Sequence, residues 1–258
     1  MKLQLGRHVY GLAAIIFGII GLVWHEFNTW QQVRALGNIS HPEVFVSIVA
    51  IFELVGGIAV QWKKTAKVGA IILFLVYLFF ALLWVPFIIK TPLVYDGWGN
   101  FFEQFSLVSG AMVVYSSMGT GNSVAKTRIA RLGIIFFGIC IISFTLEQAL
   151  YLSATADFVP KWIPLGQKFW AVVTTIAFAL AAISIFTGRL ALLTATLITI
   201  MIICFGVFVW LPILIGDPGK MFNWAGNTEN LAICGTAWIV ADFLAQPKTI
   251  LQKPSPGI

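Results

Sequence analysis

Charge is scarce in this chain. Lysine and arginine number 16 and aspartate and glutamate 10 in 258 residues, whereas 59% of the chain is hydrophobic and mean hydropathy is +0.94. So few polar groups cannot coat the apolar surface, which excludes a water-soluble globular domain and leaves an integral membrane protein. Cysteine is equally sparse. Cys140, Cys204 and Cys234 fall within apolar runs without CxxC spacing, so no disulfide framework, thiol redox pair or metal motif is expected. There are only three histidines. His8 and His25 lie at opposite ends of one run and His41 in a loop, which excludes the paired axial ligands of a membrane haem; no other metal-ligand spacing occurs. Phosphate-loop, dinucleotide and serine-nucleophile motifs are also lacking, so no catalytic residue is assigned and a non-enzymatic role is expected.

What the chain does have is apolar length. Runs near the ~20 residues that cross a bilayer fall at about 8–27, 43–62, 66–89, 101–118, 129–151, 165–187, 189–215 and 228–246. They are continuous rather than alternating, which favours helices over a barrel, because each backbone amide in lipid needs an internal partner. The expected fold is an all-α integral membrane protein with eight transmembrane helices. The first run ends in Trp24, His25 and Glu26 without a small-x-small cleavage pattern, so it is taken as a span rather than a secretory signal. Alternating the ends puts Lys2, Arg7, Lys63, Lys64, Lys67, Lys126, Arg128, Arg131, Arg189, Lys248 and Lys253 on one side. The other side has Arg34, Lys90, Lys161, Lys168 and Lys220. The positive-inside rule then places both termini in the cytoplasm. Most acids lie outside, so the net charge of +6 reports topology and implies no nucleic-acid partner.

The chain repeats itself. At an offset of 126, Trp98 and Glu103 fall on Trp224 and Glu229, and "LWVPFII" (Leu83 to Ile89) falls on "VWLPILI" (Val209 to Ile215), matching Trp84 with Trp210 and Pro86 with Pro212. "ELVGGIAVQWK" from Glu53 falls on "ALAAISIFTGR" from Ala179, and Arg7 to Glu26 falls on Arg128 to Glu147 with a shift of 121. The expected domains are a four-helix unit at 1–118, a polar, glycine-rich cytoplasmic linker at 119–127 and a second four-helix unit with a short tail at 128–258. Four helices is an even number, so the repeats are parallel, unlike the inverted repeats of many transporters.

Even topology gathers the candidate ligand-binding residues into one outer layer: His25, Glu26, Trp84, Trp98 and Glu103 in the first unit, and Glu147, Trp210, Trp224 and Glu229 in the second. The expected pairings are Glu26 with Glu103 and Glu147 with Glu229, each pair forming an outer-leaflet pocket walled by tryptophan, with Pro86 and Pro212 turning the helix 3 to helix 4 loop inward. Helical steps from Glu103 reach Ser106 and Gly110, those from Glu229 reach Ala232 and Thr236, and those back from His25 reach Gly21, Gly18 and Gly11. Small faces of this kind are where membrane helices approach closely. The structural alternative is that Glu103 and Glu229 complement helix N-termini and that the tryptophans are interface anchors. Glu53 stands apart, near the bilayer midplane, where an ionised acid costs about 2.5–3.5 kcal/mol; it should be neutral or paired with a buried donor. Its counterpart is Ala179.

A mid-helix glutamate followed by small residues ("FELVGGIAV", Phe52 to Val60), an aromatic-proline end to helix 3 ("LLWVPFI", Leu82 to Ile88) and a Trp-then-Glu start to helix 4 resemble the DoxX-like family of small bacterial membrane proteins. The resemblance covers both halves and implies a fused pair of four-helix units in the bacterial cytoplasmic membrane, with Glu53 at the family's second-helix glutamate. Members include subunits of a thiosulfate:quinone oxidoreductase and associates of redox-stress proteins, which implies a partner complex in the membrane. Ala179 and the lack of outer-face cysteines count against direct thiosulfate oxidation. Two roles follow: a membrane subunit or scaffold of a larger redox-related complex, or a quinone- or lipid-binding part of an oxidoreductase, with a small-molecule transporter as a third. No cofactor is expected unless a quinone or lipid occupies the carboxylate pockets. Labelling of single cysteines should find Lys63→Cys and Arg189→Cys open to the cytoplasm and Asp96→Cys and Asp217→Cys open to the outside. Asp96 and Asp217 on opposite sides would contradict the repeat.

Overall fold

The computed structural model describes residues 5–27, 41–118 and 124–246. Lys2, Arg34, Lys248, Lys253 and linker positions 119–123 lie outside the described residues. Within them every regular element is helical: α1 (Leu5–Trp24), α2 (Pro42–Gln61), α3 (Ala66–Leu83), α4 (Val85–Lys90), α5 (Tyr95–Ser117), α6 (Val124–Leu150), α7 (Leu152–Phe158), α8 (Gln167–Thr187), α9 (Ala191–Phe205), α10 (Leu211–Gly216) and α11 (Met221–Leu244). Helix α6 starts within the expected linker.

Among the described residues, six segments are long and apolar enough to cross a membrane: Leu5–Trp24, Pro42–Gln61, Ala66–Lys90, Val124–Leu150, Gln167–Thr187 and Ala191–Gly216. The chain is a helical membrane protein. The other two expected spans, α5 and α11, are long enough but lack the apolarity. Glu103, Gln104, Ser106 and Ser109 interrupt the first, and Asn223, Thr228, Glu229 and Asn230 the second.

Both helices also start earlier than their apolar runs, at Tyr95 and Met221. Glu103 and Glu229 therefore sit in the third helical turn, beyond the first turn where a helix dipole acts. Helix-end complementation does not account for them. The prolines differ from expectation as well. Pro86 and Pro212 open the short helices α4 and α10, where a missing amide proton costs nothing. In the second half the chain reaches Pro212 through a π-helical turn, Gly206–Trp210.

Packing follows chain order around a closed circuit. Helix α1 packs on α2, α2 on α3, α3 on α5, α5 on α6, α6 on α8, α8 on α9, α9 on α11, and α11 back on α1; α5 and α11 also meet across the middle. Each half therefore borrows from the other. One core cluster joins α1, α2, α3 and α5 to Ala232 and Ile239 of α11; the second joins α6, α8, α9 and α11 to the partly buried Phe102 and Phe105 of α5.

Small residues make these approaches close, as the helical steps predicted. Gly110 of α5 faces Thr236 of α11, and Gly235 of α11 lies against the backbone of Tyr10 in α1. A methyl group at Gly235 would stand 2.6 Å from the Tyr10 amide nitrogen. Gly235→Ala should therefore destabilise the fold by about 1–3 kcal/mol, the usual cost of overpacking, and lower its thermal aggregation midpoint in detergent. Gly216→Ala, which meets nothing within 4 Å, serves as the reference; equal midpoints would contradict the α1–α11 contact.

Candidate functional site: a buried acid chamber

Glu53 lies midway along α2 and is 2% exposed. Beside it is a void of about 20 Å³, which also reaches Glu26, Tyr77 and Gln104 and is lined by apolar side chains such as Phe27 and Phe80. One water needs roughly 10–15 Å³ and two to four polar partners, and this void offers both. Five elements converge here because α1 and α3 end, and α5 and α11 begin, in the same layer of the bundle. Trp24 meets the Trp224 ring at 6.3 Å in that layer, and Tyr95 donates to the Ser143 hydroxyl at 3.1 Å.

Gln104 connects the chamber to the second half. Its Nε2 donates to Oε1 of Glu229 at 2.7 Å, and both residues are buried. Tyr10, wholly buried, donates to the Leu107 carbonyl at 2.8 Å and meets Tyr77 edge-on at 6.1 Å. Polar groups in this region are under-bonded among the described residues. The Tyr77 hydroxyl is buried without a partner, and Glu53 makes no side-chain hydrogen bond among the described residues. The sequence-based expectation for Glu53 included a buried donor; the structure supplies the void instead.

The outer-layer acids come together across the two halves rather than as two separate pairs. Glu26 shares the chamber with Glu53 and Gln104, while Glu103 does not line it. Glu103 instead has Glu229, Glu147 and Asp96 within electrostatic range, and Glu147 packs its carboxyl onto Gly99 of α5. The physical reason is the circuit of helices: α6 ends against α5, so Glu147 meets the fourth helix of the first half, while α1 ends where α5 and α11 meet, so the void beside Glu26 is lined by both Gln104 and Ala225.

The aromatic residues divide. Trp98 and Trp224 each donate Nε1 to a proline carbonyl six residues earlier, Pro92 at 3.1 Å and Pro218 at 2.9 Å, which pins the loop before each helix. Trp84 is buried with Nε1 unpartnered, so it is a core residue rather than an interface anchor. Trp210 lies on Gly226 and near Phe158 and Phe222. His25 is exposed, in a left-handed conformation (φ 52°) that ends α1, and does not line the chamber. In the loop before α11, hydrogen bonding to Asp217 at 2.8 Å raises the Lys220 ammonium above its ordinary range.

Sequence reasoning missed Tyr10, Tyr77 and Gln104. A tyrosine in the middle of an apolar helix was the available signal, since a buried hydroxyl calls for a partner. Gln104→Leu should remove a donor from buried Glu229 and lower stability by about 1–3 kcal/mol, whereas Glu53→Leu, which breaks no protein hydrogen bond, should be at least as stable as the parent. Thermal aggregation midpoints of the two variants measure this, and the reverse ranking would show that Glu53 is held by a partner. No protein family, curated protein or solved structure matches the chain.

Proposed function

We propose that this chain is a non-enzymatic membrane subunit of a larger, redox-related complex in the bacterial cytoplasmic membrane. Its eight spanning helices form two parallel DoxX-like four-helix repeats with both termini cytoplasmic. The observation that carries this is the closure of the two halves around α5 and α11. The least apolar helices are sealed inside, and the apolar helices surround them, so the chain offers lipid and neighbouring helices an apolar exterior. In the Ala191–Gly216 segment only 17% of an apolar 18-residue stretch is buried within the chain. The repeat is supported by matched contacts: the Trp98-to-Pro92 and Trp224-to-Pro218 bonds lie 126 positions apart, although Trp170 makes the same bond to Pro164 outside the repeat, and Gly110 and Thr236, equivalent at the same offset, face each other. Fusing the units makes a homodimer interface internal.

The chamber favours a second role, binding the polar head of a quinone or lipid. A void of about 20 Å³ holds a water and not a ring, so such a ligand requires the aromatic lining to move. Purification of the full chain in mild detergent separates the two. The expected result is a stoichiometric membrane partner with flavin, haem or iron–sulfur absorption. A lone chain that releases quinone on extraction would replace the subunit role with the second, and a lone chain with neither would contradict both.

A further inference from the structure

We propose that Glu26, the adjoining void and Glu53 form a proton half-channel, through which Glu53 exchanges its proton only with the membrane face at which α1 ends. Three observations meet here. Glu26, half-buried just past α1, and Glu53, 2% exposed within α2, line one void. The void is of water size and has polar neighbours at Gln104 and Tyr77. Glu53 is also a buried acid with no side-chain hydrogen bond among the described residues, and retaining one at this depth, where charge is costly, points to an ion or proton path rather than a structural contact.

The route ends at Glu53. Towards the opposite face α1 and α2 touch through backbone: a methyl group at Gly57 would lie 2.6 Å from the Gly11 carbonyl oxygen, leaving no space for water. Further along, His8 Nδ1 and the Gln61 side chain close the two helix ends at 2.7 Å. Among the described residues, the groups facing Glu53 are Tyr10 from α1, Tyr77 from α3, Glu26 beyond α1 and neutral Gln104 from α5, which holds Glu229 of α11. None of these is a cation. The step is a proton exchange: hydronium in the void gives a proton to the Glu53 carboxylate, leaving water and the carboxylic acid, with no electrons transferred. Ala179 occupies the aligned position in the second half, so the device exists once per chain.

Infrared difference spectroscopy on the full chain in lipid bilayers tests this. Subtracting Glu53→Gln identifies the Glu53 carboxylic acid band, and D2O supplies the probe. In the parent the band should shift in D2O. Glu26→Gln should slow that shift several-fold without changing its final size, and Ala225→Leu, which fills the void from α11, should slow it further. In vesicles of uniform orientation, a pH jump on the Glu26 face should change the band before the interior equilibrates, and a jump on the other face should not. A band that is absent, that exchanges equally fast in all three proteins, or that answers first to the opposite face overturns the proposal. Should Ala225→Leu fail to fold, Glu26→Gln and the sided pH jump decide alone.

Discussion

Lipid offers no hydrogen-bond partner, so a polar helix can be kept within a membrane protein only by surrounding it with protein. Helices α5 and α11 set this constraint. Between them they bury Gln104, Ser106, Ser109, Asn223, Thr228, Glu229 and Thr236, and the rest of the bundle is arranged to cover them. The Gln104–Glu229 bond at 2.7 Å is the polar link between the two. An interhelical bond of this kind contributes about 0.6–2 kcal/mol, which is modest. Leaving Glu229 without that donor in the same place would cost more.

Sealing the two helices against each other sets the connectivity of the whole. Neither half closes its own bundle, because the fourth helix of each half is engaged by the first helix of the other. Tyr10 marks the meeting point: its hydroxyl reaches α5, its ring meets Tyr77 of α3, and its backbone touches Gly235 of α11. The two halves of the sequence differ in chemistry. Glu53 belongs to the first, while the second has Ala179 and a π-helical turn that brings Gly206 near Asn230. Asn230 donates to the Ile202 carbonyl at 3.0 Å at that turn.

Six of the eight apolar runs could be read directly as spanning helices, since length and hydropathy are local properties. The small-residue faces at Gly11, Gly18 and Gly110 were legible for the same reason: helical periodicity alone puts them on one stripe. The beginnings of α5 and α11 were not, because their first turns carry glycine, asparagine and tryptophan, which dilute the apolar signal. Which acids meet was also out of reach. Sequence shows that Glu26, Glu103, Glu147 and Glu229 share a layer, but the partner of each depends on whether a helix closes its own bundle or its neighbour's. Gln104 went unnoticed beside Glu103 because a neutral amide has no charge to flag it, although its helical step to Leu107, Val108 and Ala111 lies on the buried face.

The central claim is that α5 and α11 meet face to face at the middle of the chain. Gly110→Cys and Thr236→Cys, introduced together after replacing the three native cysteines, test it directly. A β-carbon at position 110 would lie 3.3 Å from that of Thr236, close to the separation of about 3.5–4.5 Å that a disulfide spans. Mild oxidation in native membranes should join the two peptides within a single chain, and mass spectrometry should recover them as one reducible fragment. Failure to cross-link within the monomer, or cross-linking only between chains, would contradict the account.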